Sequence, residues 1–494
     1  MKKGKSGNMK KVLACVVAGM MIFQTGCSNA GNKGEPAESS VNSEEKTDST
    51  QDNAAGNSSD GNAEGNADGS ADGNAKGNAD GNADGNAEDN ADASTEGNAS
   101  AEDSLKVPAA NIDIELDSSV TDSEMVKRSL VSIGNTARLQ RVFDKINNGE
   151  KITVSYLGGS ITQGMNATKS ELCYAGVSSA WLDEVFAKNN SASGVNYVNA
   201  GIPGTPSTLG LLRSTKQLLF EDTKSGESLE PDIVFIEFAV NDGTDPQSKA
   251  MYESLVRKTL SREKHPAVIL IFTVLENGYS AQDHMKEIGE HYDVGMISVK
   301  DAITPEIEAG RMNFSGDYAS DEAHPNNVGH ALIADFIKYY FDNASERIGE
   351  KPEEEIPQLP EKWKYGFYYS GIKNIELAEI ENGSFERKDI DCFTYKEGYV
   401  HEKTGNEPMT FTGDFSKLLI AYRQYKNENY GAAEVIIDGK HKCNLEGYSA
   451  DGWGNVATEL VLNDVAKKEH TVEIKMKEGD EEKEFVLLDI GVCE

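Results

Sequence analysis

A serine, a histidine and an aspartate stand in this chain where their types and spacing could carry out acyl transfer. Ser160 ends the run Val-Ser-Tyr-Leu-Gly-Gly-Ser and is followed by Ile-Thr-Gln-Gly, residues 154–164 in all. Apolar, β-branched residues running straight into a Gly-Gly-Ser turn describe a buried parallel strand that presents a side chain at the edge of its sheet. Gly158 and Gly159 lack Cβ atoms and let the backbone approach a ligand closely. A serine hydroxyl is a weak nucleophile at neutral pH and needs a neighbouring base. Asp321 and His324, three residues apart, share one side of a single turn, so the aspartate can hold one imidazole nitrogen while the other takes the serine proton. Pro325 then suits the first turn of the helix that follows. Taken singly, these features are also ordinary: Asp321 can be a helix cap, Asn241-Asp242-Gly243 loop chemistry, and Gly201 a tight turn.

What brings them together is the order of the elements. Ser123–Leu130 and Thr136–Asn147 read as helices, the second with Leu139, Val142, Phe143 and Ile146 at helical spacing and Asn148-Gly149 as its stop. Tyr174–Ala187, Thr208–Phe220, Pro246–Leu260, Asp283–Tyr292 and Asn326–Asp342 read as further helices. Strands are expected at Val154–Gly158, Val195–Val198, Asp232–Phe238, Ala267–Leu275 and Val294–Val299. Asp232–Phe238 is apolar on both faces, the mark of a central parallel strand. Such alternation implies a three-layer α/β/α, flavodoxin-like domain around a parallel five-stranded sheet. Ligands bind such sheets at the carboxyl ends of the strands, and there stand Ser160, Gly201, Asn241-Asp242 and, before the last helix, Asp321–Pro325.

Together these residues resemble the SGNH, or GDSL-type, hydrolase family over roughly Ala137–Phe341. Gly-Gly-Ser-Ile-Thr stands for its Gly-Asp-Ser-Leu block, Asn199-Ala200-Gly201 for its glycine block, Val240-Asn241-Asp242 for its asparagine block, and Asp321-x-x-His324-Pro325 for its closing acid–base block. Two positions depart from the pattern, Gly159 for the usual Asp and Ala239 for a frequent Gly; the first is shared with a branch of the family acting on carbohydrates. The resemblance implies a serine esterase with Ser160, His324 and Asp321 as catalytic residues. It also implies an oxyanion hole from the backbone N–H of Ser160 and Gly201 and the side-chain amide of Asn241, and no metal or other cofactor. The Gly-x-Ser-x-Gly elbow of α/β-hydrolases is missing at 158–162. His330 reads as part of the final helix, and His265, His284 and His291 as surface residues.

The remaining chain places this domain. Lys2, Lys3, Lys5, Lys10 and Lys11 precede a short apolar run, Val12–Phe23, and then Gly26-Cys27. That is an export signal, and its ending resembles a lipoprotein signal with Cys27 as lipid anchor, although Gln24 stands where an apolar residue is usual. Residues 28–105 form an acidic tether repeating Gly-Asn-Ala-Asp and Gly-Asn-Ala-Glu, with 18 acidic and three basic residues between Ser28 and Ser104. So little apolar surface cannot offset ordering entropy, and disorder is expected, with a root-mean-square reach of about 50 Å. The whole chain's formal charge of −35 argues against nucleic acid as a partner. The hydrolase domain is expected over 106–346 and a Glu/Pro-rich linker over 347–360.

Beyond the linker, 361–494 shows short alternating strands at Lys417–Tyr422, Ala433–Ile437, Glu459–Val461, His470–Met476 and Phe485–Val492, with Asp438-Gly439 as a hairpin turn. The expectation is an antiparallel β-sandwich. Its aromatics, Trp363, Tyr365, Tyr368, Tyr369, Tyr422, Tyr425, Tyr430, Tyr448 and Trp453, serve either as core and interdomain packing or as stacking surfaces for sugars. The functional expectation is a surface-anchored esterase that removes O-acetyl groups from an acetylated carbohydrate and meets the membrane only through its lipid anchor. A lipase or thioesterase on the same site, and a non-catalytic glycan-binding lipoprotein, are the alternatives.

Overall fold

The computed structural model describes residues 123–189, 194–351, 354–375 and 379–493. The expected signal, Cys27 and the tether lie outside these residues. No helix among them is long and apolar enough to cross a membrane.

Helix α1 (Ser123–Ser129), strand β1 (Leu130–Ser132) and helix α2 (Ala137–Asn147) lead into β2 (Lys151–Gly158). The apolar stripe of α2 is buried, and Gly149, at φ 78°, ends the helix in the left-handed conformation that glycine adopts without strain. There follow α3 (Ser160–Gln163), α4 (Tyr174–Asn189), β3 (Gly194–Gly201), α5 (Ser207–Gln217), a hairpin of β4 (Phe220–Asp222) and β5 (Glu227–Leu229), β6 (Ile233–Glu237), α6 (Pro246–Leu260), β7 (Ala267–Phe272), α7 (Gln282–His291), β8 (Gly295–Ser298), α8 (Val299–Glu308) and α9 (Asn327–Glu350). Asp245 caps α6 by accepting the N–H of Gln247 and Ser248, with Pro246 at the first helical position.

Five strands pair in parallel in the order β3-β2-β6-β7-β8. Counted along the chain this is 2-1-3-4-5, the flavodoxin-like order. A sixth strand corrects the five-stranded expectation: β1 pairs antiparallel with β8 at the sheet edge. Its three residues, Leu-Val-Ser, are too few to show alternation. Every residue of β6 and β7 is buried. One apolar cluster joins the sheet to α2, α4, α8 and α9, and a second joins its other face to α5, α6 and α7. The β4–β5 hairpin and α8 were not anticipated; Pro305 inside α8 is a residue that ordinarily argues against a helix.

The second cluster continues into the C-terminal domain through Tyr369, Leu419, Val456 and Leu488. That domain comprises β9 (Ile372–Asn374), β10 (Phe385–Cys392), β11 (Tyr395–Glu402), β12 (Met409–Tyr425), β13 (Ala432–Ile437), β14 (Lys440–Glu446), β15 (Trp453–Met476) and β16 (Glu484–Cys493). All pairings are antiparallel, in the order β10-β11-β16-β12-β15-β13-β14, with β9 on β16. The long strands β12 and β15 serve both layers of the sandwich. Met409–Phe415 pairs with Lys468–Ile474 on the β13 side, Lys417–Tyr425 with Trp453–Asn463 on the β16 side, and the register shifts between Phe415 and Lys417. Such irregularities bend a strand. Asp438 and Gly439, at φ 52° and 71°, form the expected two-residue hairpin turn. The segment entering this domain is pinned to the first one: the buried Glu253 carboxylate on α6 accepts the N–H of Lys364, Tyr365 and Gly366.

Candidate active site

The carboxyl edge of the parallel sheet brings Ser160, Asp321 and His324 into contact. Ser160 is the first residue of α3, directly after β2, and is 2% exposed. Its Oγ lies 2.9 Å from His324 Nε2, across 164 residues of sequence. His324 Nδ1 lies 3.0 Å from each carboxylate oxygen of Asp321. The loop holding this pair is closed by its own acid, since Asp321 Oδ1 accepts the N–H of Ala323 and His324 at 2.8 and 2.7 Å. Burial pushes the Asp321 carboxyl up, but the hydrogen bond and charge of His324 and these two N–H groups outweigh it and hold the acid below the usual carboxylate range. An ionised Asp321 can therefore orient the imidazole and balance the imidazolium. Pro325 does not start the helix: Asn326 caps α9 by accepting the N–H of Val328 and Gly329, and Pro325 lies one residue outside.

Asn241 follows β6 in a turn where its N–H and that of Asp242 both go to the Phe238 carbonyl. Its side-chain amide packs against the backbone just before the nucleophile, because a Cβ on Gly159 would come 2.3 Å from Asn241 Oδ1. Both amide atoms are buried, and among the described residues neither makes a hydrogen bond. A buried amide without a partner is costly unless a ligand completes it. The N–H of Ser160, at the head of α3, likewise has no acceptor among the described residues.

Gly201 requires correction as the third oxyanion donor. Its N–H donates to Asn199 Oδ1 at 2.9 Å, and the residue is packed so tightly under α3 that a Cβ would lie 2.2 Å from Gln163 N. Gly201 thus serves close approach of β3 to the nucleophile turn. Gly204, three residues on, is exposed, adopts φ +69°, and carries an N–H with no acceptor among the described residues. The loop's available donor is Gly204.

Sequence reasoning missed three groups. Glu237, the fully buried last residue of β6, accepts hydrogen bonds from the hydroxyls of Thr273 and Thr162 at 2.7 and 3.0 Å. Burial raises its carboxyl above the usual range, partly offset by those hydroxyls, the Gly159 N–H and the charge of His324. Asn166, at φ 67°, donates to Asp321 Oδ2 at 2.8 Å. Arg213, on α5 and 1% exposed, donates to the carbonyls of Gly158 and Ala200 and so ties the ends of β2 and β3 together. None sits in a recognisable motif; only a charged residue inside the apolar run of β6 hinted at Glu237.

The other histidines divide. His330 on α9 is buried, accepts the Tyr174 N–H at Nδ1 and lies 3.1 Å from the Met165 carbonyl through Nε2, a neutral structural role. His265 is exposed. His284 is not a surface residue: it is 4% exposed and packs edge-on to Tyr252 and Tyr365. His291 is half-buried, its Nε2 2.8 Å from the Lys362 carbonyl. Cys173, Cys392, Cys443 and Cys493 are buried and form no disulfide.

The aromatics of the second domain also divide. Tyr369 and Tyr422 are core, Tyr365, Tyr425 and Tyr430 half-buried, and Trp363, Tyr368, Tyr448 and Trp453 exposed. Trp453 borders the site: its Cζ2 lies 3.4 Å from where a Cβ on Gly204 would be. Phe393 stands edge-on to Trp453 with ring centres 5.8 Å apart. Phe393 also lines a cleft of about 600 Å³ between the domains, together with Arg213, Tyr395 and Tyr399.

A buried serine, histidine and aspartate in contact at the edge of an α/β sheet, with unpaired donors beside the serine, have the arrangement that serine hydrolases use. Residues 156–332 match the model of the GDSL-like lipase/acylhydrolase family, and the protein is a carboxylic ester hydrolase. Two crystal structures of a two-domain esterase (CEX) active on acetylated mannans are similar across both domains. The one co-crystallised with mannopentaose has a TM-score of 0.63 and the other 0.64; each is 28% identical, over 74% of this chain and 97% or 98% of the other. A search of curated proteins returned no match.

Proposed function

We propose that this protein removes O-acetyl groups from a polysaccharide or oligosaccharide through an acyl-serine intermediate. The observation that carries the mechanism is the contact chain Asp321–His324–Ser160 at 3.0 and 2.9 Å. Ser160 Oγ attacks the acetyl carbonyl carbon as His324 Nε2 takes its proton. The tetrahedral oxyanion accepts hydrogen bonds from Asn241 Nδ2 and the N–H of Ser160 and Gly204, donors already in place before charge develops. Collapse expels the sugar oxygen, which takes the proton from His324. Water then attacks the acyl-serine as His324 takes its proton; the second tetrahedral intermediate breaks its bond to Ser160 Oγ, which takes that proton back from His324, and acetate leaves.

The carbohydrate reading is supported by the activity of the 28%-identical two-domain esterase on acetylated mannans. It is also supported by Trp453, whose exposed face suits a sugar ring, and by the adjoining cleft that the half-buried Phe393 lines. Export, and anchoring at the outer surface through Cys27, rest on the sequence of residues 1–105. The test is acetate release from acetylated mannan, xylan and cell-wall polysaccharides, together with chain-length preference on nitrophenyl esters. Release of acetate, loss of activity beyond short acyl groups and an inert Ser160→Ala variant are expected. Hydrolysis surviving in Ser160→Ala would overturn the acyl-serine mechanism, and preference for long acyl chains would overturn the acetylesterase in favour of a lipase or thioesterase.

A further inference from the structure

Glu237 is a carboxylate in an unusual place, 0% exposed beneath the nucleophile, with no Lys or Arg pairing with it among the described residues. An uncharged residue would fill the same space without the cost of desolvating an ionisable group. What the carboxylate adds is acceptors at a junction of three strand ends. Oε1 takes the hydroxyl proton of Thr273, the residue after β7, at 2.7 Å. Oε2 takes that of Thr162, on α3, at 3.0 Å, and the Gly159 N–H also bonds to the carboxylate. Thr162 Oγ1 is in turn 2.8 Å from Tyr174 Oη on α4.

The protons balance in one way that satisfies every group. Tyr174 donates to Thr162, Thr162 and Thr273 donate their single hydroxyl hydrogens to Glu237, and Glu237 only accepts. An ionised carboxylate is the acceptor-only species. Gly159 and Thr162 flank Ser160 at one residue before and two after, so the network grips the nucleophile turn from below on both sides.

We propose that Glu237 is a positioning residue for the nucleophile, fixing the turn through Gly159 and Thr162 so that the Ser160 hydroxyl is held against His324. This rests on the acyl-serine reading above. A 1 Å misplacement of a reacting group can cost about a hundredfold in rate, which sets the scale of the effect.

The test is Glu237→Gln, which keeps the size but loses one acceptor oxygen, beside Thr273→Val, which removes a single donor, and Thr162→Val, which removes a donor and the acceptor of the Tyr174 hydroxyl. Active sites are counted by stoichiometric fluorophosphonate labelling of Ser160, so that kcat on nitrophenyl acetate is expressed per competent site and is insensitive to misfolded protein. Glu237→Gln is expected to lower kcat per site by about 30- to 100-fold with KM within about twofold, and each Thr→Val variant by about tenfold. A merely structural role would reduce the number of sites and leave kcat per site unchanged, and that result overturns the proposal. If Glu237→Gln yields no folded protein, the two Thr→Val variants decide: wild-type kcat per site in both refutes it. Ser160→Ala separates the two readings. Activity in Ser160→Ala sinks both, whereas an inert Ser160→Ala beside fully active Glu237→Gln and Thr273→Val sinks only the role of Glu237.

Discussion

Asn241→Ala should separate chemistry from stability, because the side chain's polar atoms are committed to nothing in the resting protein. Nδ2 and Oδ1 are buried without a hydrogen bond among the described residues, and the amide lies against Gly159, next to Ser160. Removing one oxyanion donor raises the barrier by about 2.7–4 kcal/mol, a factor of roughly 10²–10³ in kcat. The folded state has little to lose. An unpaired buried polar group costs about 1–3 kcal/mol, which the substitution relieves, while the lost side-chain packing costs on the order of 1 kcal/mol. These nearly cancel. The assays are kcat and KM on nitrophenyl acetate and on an acetylated glycan, with denaturant unfolding of the same preparations. The expected result is kcat down at least about a hundredfold, KM little changed, and unfolding free energy within about 1 kcal/mol of wild type. A kcat within about threefold would refute the oxyanion role. Destabilisation by more than about 3 kcal/mol would show that the amide is bonded in the resting state and refute the premise.

Trp453→Ala should raise KM for an acetylated oligosaccharide by about tenfold, the scale of a lost base or ring stacking contact, while leaving kinetics on nitrophenyl acetate unchanged; equal effects on both substrates would remove Trp453 from the glycan path. Asp242 gives a pH prediction. It is buried, accepts the Ser207 N–H at 2.7 Å, and burial raises its carboxyl to about 7. Below about pH 4 it is protonated in both folded and unfolded chains and contributes nothing. Between about pH 4 and 7 the unfolded chain has lost the proton and the folded chain has kept it, so stability falls as pH rises and levels off above about 7. Asp242→Asn should flatten that slope, gaining on the order of 2–3 kcal/mol more at pH 8 than at pH 5; urea unfolding at the two pH values reads this directly, and an unchanged slope would assign it to other groups.

The strand order and the contact of Ser160 with His324 follow from what sequence displays well: long apolar runs, their alternation with amphipathic helices, and the rule that ligands meet strand ends. The elements that escaped, β1, the β4–β5 hairpin and α8, are too short for periodicity to register or contain a proline that argues against the helix. In the second domain β10 and β11 escaped too, since Phe385–Cys392 reads as charged and polar, with one face exposed. Side-chain commitments are harder still. Nothing in Asn199-Ala200-Gly201 tells that the asparagine caps its neighbour's N–H two residues on; that depends on the fold bringing Thr162 within 2.8 Å of Asn199 Nδ2. Gly204 stands three residues on with the same residue type, and its exposure, φ angle and free N–H distinguish it.

The Gly158-Gly159 pair shows how the two halves of the site constrain each other. A Cβ on Gly158 would lie 2.0 Å from Thr162 Oγ1 and 2.6 Å from the Glu237 carbonyl; one on Gly159 would lie 2.3 Å from Asn241 Oδ1. Real Cβ atoms do not approach that closely. The first glycine is therefore demanded by the threonine that bonds Glu237, and the second by the Asn241 amide packed over it. Gly159, where the family usually carries Asp, belongs to this arrangement: an aspartate there would displace the Asn241 amide from the backbone it leans on. The departure in the nucleophile block and the placement of the Asn241 amide are one structural fact, and any substitution restoring Asp at 159 has to move Asn241 before it can leave Ser160 where it is.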